Sequence, residues 1–150
     1  MLGFSIKLSF WKIVFALMVS VALIFGLSIL ASGEESGIML QSEQSRIDYI
    51  CSLGYSPAEC GEEAEIIIPS EFGEVYENYN ALQKQVGFDL EPFKGRKAIR
   101  YTYSLADFTP DEYVVINLLV CDGKLIGGDV SSRRIDGFML PLAAKQEWKE

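Results

Sequence analysis

Tyr113–Ser131 reads YVVINLLVCDGKLIGGDVS, and the fold turns on this stretch. Tyr113 to Cys121 is almost wholly apolar, as a central strand with both faces covered would be. Asp122-Gly123 is the sequence of a two-residue hairpin turn, whose backbone needs a positive φ that Gly adopts freely. Lys124 to Ser131 is then the returning strand, with Leu119 opposite Ile126 and Val115 opposite Val130. Gly127 and Gly128 within it mark a bulge or the close approach of another backbone. Upstream, Lys97 to Leu105 has period two. Ile99, Tyr101, Tyr103 and Leu105 share one side, and Ala98, Arg100, Thr102 and Ser104 the other. Three antiparallel strands in succession are expected.

Two helices and two more apolar pieces surround this meander. Ser70 to Val86 carries Phe72, Val75, Tyr76, Tyr79, Leu82 and Val86 at helical spacing, with Ser70 as cap and Gly87 as stop. Ser42 to Leu53 is predicted helical, with Ile47, Ile50 and Cys51 on one face, Ser42 as cap and Gly54 as stop. Ala64 to Ile68 ends in three Ile before Pro69 and predicts a short buried strand. Ile135 to Leu142 is a further apolar piece. The expected class is α+β, order α-β-α-β-β-β. Two helices pack on one face of a mostly antiparallel sheet of about four strands.

A transmembrane helix is expected ahead of this domain. Ile13 to Ala31 (IVFALMVSVALIFGLSILA) holds no charged residue and no Pro. As a helix it measures about 28 Å, close to the hydrocarbon thickness of a bilayer. Lys7 and Lys12 precede it and Glu34 and Glu35 follow, which favours an amino terminus in the cytoplasm and a domain outside. The expected organisation is a cytoplasmic stub at 1–12, a signal anchor at 13–31, a linker at 32–41 and an extracytoplasmic domain at 42–150. Ala31-Ser32-Gly33 leaves the alternative of a cleaved signal peptide and a secreted domain.

The chain has 21 acidic and 13 basic residues and a formal charge of −8. Every acid follows the apolar run. Such a domain is a poor candidate for binding nucleic acid or anionic headgroups. There is no His, which removes Ser-His and Cys-His nucleophile activation and His-based zinc sites. Cys51, Cys60 and Cys121 form no Cys-x-x-Cys pair. An oxidising compartment permits a disulfide between Cys51 and Cys60; the alternative is that the cysteines stay unpaired. No cofactor and no metal ion are expected.

Candidate binding residues fall in four groups. Tyr76, Tyr79, Tyr101 and Tyr103 either line an aromatic groove or are core residues with hydroxyls at the margin. Asn80 and Gln83, three apart on one helix face, either hydrogen-bond the Gly87–Gly95 loop through Asp89 or form a polar contact site. Arg100 belongs to a basic cluster with Lys94, Arg96 and Lys97, which pairs with the domain's own acids or meets an anionic polymer. Asp129 closes Gly127-Gly128-Asp129, which matches the opening of a cyclic-dinucleotide synthase signature; Val130-Ser131 then stand where Glu-Phe would follow. Paired carboxylates could act as acid and base without His, but no pair stands out in the spacing.

The order of short motifs resembles a known family. It runs Ile68-Pro69, Phe72, Val75-Tyr76, Tyr79-Asn80, Leu82-Gln83, Gly87-Phe88-Asp89-Leu90, Gly95 and Arg100-Tyr101-Thr102-Tyr103. It closes with Asn117-Leu118-Leu119-Val120, Gly127-Gly128-Asp129-Val130 and Gly137-Phe138-Met139. This is similar to domain-of-unknown-function family 4830, found in Gram-positive bacterial membrane or exported proteins, over about Arg46 to Leu142. Tyr55 stands where the pattern has Trp, and Ser131 or Ser132 where Cys is frequent. The resemblance implies one amino-terminal hydrophobic segment and carries no established activity. The functional expectation is a membrane-anchored, noncatalytic interaction domain of the bacterial envelope, meeting a protein or envelope ligand. The alternatives are a carboxylate-dependent envelope hydrolase or transferase and a secreted small-ligand binder.

Overall fold

The computed structural model describes residues 37–57, 60–108 and 113–145. The expected transmembrane segment Ile13–Ala31 lies outside the described residues. Among those described, no helix is long and apolar enough to cross a membrane.

The domain is α+β. Its elements are α1 (Glu43–Ser52), β1 (Glu62–Ile67), α2 (Glu74–Lys84), a 3-10 turn (Glu91–Phe93), β2 (Lys97–Ser104), β3 (Val114–Cys121), β4 (Lys124–Ser132) and β5 (Met139–Pro141). The strands form one sheet in the order β1-β2-β3-β4-β5, and every pair is antiparallel. Among the described residues the sheet has five strands where about four were expected. The fifth is three residues paired to Asp129–Ser131, too short to announce itself by periodicity.

The hairpin at Asp122-Gly123 is as the sequence predicts. Both residues have positive φ, 51° and 78°, the geometry of a type I′ turn. The register is not. Leu119 faces Gly127 and Val115 faces Ser131, one residue further along than expected, because β4 carries a bulge opposite Leu119/Val120. The extra residue turns Ile126 and the Gly127 position to the same side of the sheet.

The two helices lie on opposite faces of the sheet rather than on one. Ile47 and Ile50 of α1 pack with Tyr103, Ile116, Leu118 and Val120. Tyr76 and Tyr79 of α2 pack with Ala98, Leu119 and Cys121. Successive residues of β3 point to opposite sides, so these two sets cannot share a face. An all-apolar β3 allows helices on either side and does not say which helix takes which.

α1 starts at Ser42, whose side chain and that of Ser45 each accept the other's backbone N–H at 3.1 Å. Gly54 stops it with a φ of 85°. Cys51, expected on the packed face, is exposed, and Leu53 packs there instead. β1 was expected to be buried. It is an edge strand bonded on one side only, with Ile67 62% exposed and Ile68, just past its end, fully buried. Part of the expected linker belongs to the fold. The compact unit begins at Gly37, Leu40 is in the core, and Met39 pairs with Lys124.

α2 departs most from expectation. Its cap is Gly73, not Ser70, with no side-chain cap bond. Val75, expected in the core, is 81% exposed. The fully covered residues of this helix are two polar ones, Asn80 and Gln83. The helix therefore packs through these polar side chains as well as through Tyr76 and Tyr79, and Val75 and Leu82 are left to border a cleft.

Candidate functional site

A cleft of about 690 Å³ lies between α2 and its face of the sheet. Val75, Tyr79 and Leu82 line the helix side; Thr102, Asn117, Asp129 and Ser131 line the sheet side; Arg100, Arg133 and Met139 complete it. The sheet residues come from three neighbouring strands at matched register, Thr102 opposite Asn117 and Asn117 opposite Asp129.

These side chains form a continuous polar ladder. Thr102 Oγ1 donates to Asn117 Oδ1 at 2.7 Å. Asn117 Nδ2 donates to Asp129 Oδ1 at 2.9 Å and reaches Ser131 Oγ at 3.4 Å. The Tyr79 hydroxyl on α2 donates to Asp129 Oδ2 at 2.9 Å. Asp129 is 4% exposed, and each of its oxygens has a donor. The Tyr79 phenol is pushed well above its ordinary pKa, first by burial and then by the charge of Asp129. It stays protonated and remains a donor. Phe72 and Tyr76 continue the aromatic row, with ring centroids 5.4 Å apart for Phe72–Tyr76 and 6.2 Å for Tyr76–Tyr79.

Of the residues singled out from sequence, Tyr76, Tyr79, Arg100 and Asp129 meet in this cleft. Asn80, Gln83 and Asp89 are instead part of the framework. Asn80 Nδ2 donates to Asp89 Oδ1 at 2.9 Å, and Asn80 Oδ1 accepts Leu90 N–H at 2.8 Å. Asn80 thus pins the loop as the first of its two readings has it. Gln83 reaches a different partner, the sheet, where its Oε1 accepts Gly128 N–H at 2.8 Å. A Cβ on Gly127 would come within 2.7 Å of that oxygen, so the bare Gly127 is what lets the helix approach. Gln83 Nε2 is buried with no hydrogen-bond partner among the described residues. Tyr101 lies on the opposite face, under the Arg46 guanidinium at 3.7 Å.

The basic cluster is mostly engaged within the domain. Arg96 pairs with Asp122, Lys97 bonds Glu65 at 2.8 Å, and Lys94 sits 4.3 Å from the Phe72 ring centroid. Arg100 makes no hydrogen bond or ion pair among the described residues. The residues missed from sequence are Thr102, Asn117, Ser131 and Arg133. Asn117 had a signal, being the polar interruption of an apolar strand.

The Cys51–Cys60 disulfide is not made. Both thiols are free and exposed, Cys51 in the last turn of α1 and Cys60 just ahead of β1. Cys121 is buried, and its thiol is pushed up in pKa by that burial. It donates to the Lys97 carbonyl at 3.3 Å, which suits a structural rather than a reactive role. Among the described residues no group of His, Cys, Asp and Glu could hold a metal ion. Asp129 is the one carboxylate among the described residues that line the cleft, so the acid–base pair a carboxylate-dependent hydrolase needs is not assembled there.

No curated protein and no solved structure matches this chain. Residues 50–130 match the family described as a domain of unknown function, DUF4830. They take in the α2 motifs, the Arg100–Tyr103 strand and Gly127-Gly128-Asp129, and the chain belongs to that family.

Proposed function

We propose that this is a noncatalytic ligand-binding domain, held outside the cytoplasmic membrane of a bacterial envelope by the Ile13–Ala31 segment. The observation that supports binding is the cleft itself. It has apolar walls, a polar floor already satisfied by its own hydrogen bonds, and aromatic rings along one side. A floor of that kind orients a ligand without reacting with it. The arrangement of charge around Ile13–Ala31 supports the location.

Both halves are open to test. Cys51 and Cys60 are exposed, so a membrane-impermeant maleimide should label the full chain on intact cells. A Ser5→Cys variant lacking the native cysteines should resist the same reagent. The reverse pattern overturns the location. For binding, a mixture of small aromatic and aliphatic fragments is followed by NMR on the full chain. Shifts centred on Asn117, Asp129 and Ser131 are expected; shifts confined to other surfaces overturn the cleft as the site.

A further inference from the structure

We infer that the cleft selects an amphipathic carboxylate, its charge on Arg100 and Arg133 and its apolar body against Val75, Leu82 and Met139. This rests on the binding reading above and names the ligand class. Charge complementarity carries it. The chain has a formal charge of −8, yet the cleft is lined by two arginines and one aspartate. That aspartate already accepts from Asn117 and Tyr79, so its charge is spent inward. The cleft is a positive site on an acidic protein.

Arg100 is the sharper observation. Arg96, Arg133 and Arg134 each have a carboxylate, and Arg46 bonds the Tyr103 hydroxyl. Among the described residues Arg100 alone of the arginines has no hydrogen-bond or ion-pair partner, in a chain with 21 acids. Arg133 is held loosely. Its guanidinium is 3.5 Å from Glu62, with both side chains more than half exposed. Such a pair contributes little and exchanges easily. Glu62 lies opposite Thr102 at the start of β1, whereas Arg133 follows β4, so their contact spans the sheet beside the polar ladder. An incoming carboxylate would take the place of Glu62 on Arg133.

The forked guanidinium matches the two oxygens of a carboxylate. Val75 and Met139 are 81% and 53% exposed, apolar surface that an apolar body would cover. A free small acid and the carboxyl end of a peptide both have this chemistry.

The test uses the full chain in lipid nanodiscs, with Asn117 and Asp129 amide shifts as the readout. N-acetylphenylalanine should bind about tenfold more tightly than N-acetylphenylalaninamide, an effect equal to about 1.4 kcal/mol. Arg100→Met and Arg133→Met keep the apolar stem of an exposed side chain, and the double variant should abolish that preference. Glu62→Gln should strengthen acid binding about twofold by freeing Arg133. Equal binding of acid and amide, or a preference that survives the double variant, overturns this inference and leaves the binding reading standing. No binding of either compound overturns both. N-acetyl-Ala-Ala-Phe binding more tightly than N-acetylphenylalanine assigns the carboxylate to a peptide end; equal binding assigns it to a free acid, and either upholds the inference.

Discussion

The two faces of the sheet are cut from the same strands and differ in kind. β3 gives Val114, Ile116, Leu118 and Val120 to the α1 side and Val115, Asn117, Leu119 and Cys121 to the α2 side. The first set packs without a polar atom in its side chains. The second contains Asn117, which links Thr102 to Asp129. One amide in the middle of a strand changes what can cover it. A helix laid flat over the ladder would have to satisfy it, and α2 offers one hydroxyl, that of Tyr79. Elsewhere the ladder satisfies itself, so it can floor an open cleft at little cost. A packed face makes the domain stable; a self-satisfied polar face leaves an open cleft.

The largest expected effect lies on the packed face. Leu118→Ala should cost about 3–4 kcal/mol, since Leu118 is fully buried in the α1 core. Val115→Ala, beside the cleft, should cost about 1 kcal/mol, because the lost volume can open to the cleft. Urea denaturation measures both. Equal losses would show that the two faces are packed alike and break the comparison. The next effect concerns the polar packing of α2. Asn80→Ala with Gln83→Ala should lower stability by about 1–3 kcal/mol, as Leu90 and Gly128 N–H groups lose their acceptors. An unchanged denaturation midpoint would mean that α2 is held by its aromatic row alone.

The smallest effect is a titration. The Asn80 amide, and then the Glu91 N–H, hold the Asp89 carboxyl below its ordinary value of 3.8. The ionised form therefore stabilises the fold above that pH, and the contribution is lost as pH falls through the lower, folded value. In Asn80→Ala the Asp89 carboxyl resonance should titrate closer to 3.8, with its small share of acid resistance gone. No movement would show that Asn80 does not set this carboxyl. Asp89 is partly exposed, so the change in stability should be slight.

What was legible in the sequence followed from local chemistry. The hairpin turn, the α1 cap and the two-residue period of β2 each depend on neighbours in the chain. The faces, the register and the site depend on partners far away. A strand apolar on both sides does not say which helix goes where. The bulge in β4 is signalled by Gly127 and Gly128, but not the residue at which the register slips. The periodicity of α2 is legible and its burial is not, because hydropathy cannot tell that Asn80 finds its partners in the following loop and Gln83 a donor on β4. For the same reason four of the candidate binding residues reached the cleft and the rest did not. Thr102, Asn117 and Ser131 were overlooked because they matter as a row across strands, and a row exists only once the register is known.

The pairing at the start of the domain has a mechanical consequence. Ile38 accepts from Leu125 N–H at 2.8 Å, Leu40 N–H donates to Gly123 at 2.7 Å, and the Leu40 side chain is buried. Tension arriving along the chain from ahead of Gly37 is resisted first by this short seam at the Asp122-Gly123 turn. It must peel two hydrogen bonds and extract one leucine before it can pull on α1. The polar ladder crosses β4 at Asp129, six residues beyond Gly123, about 20 Å away. The seam acts as a strain relief for the sheet that carries the cleft.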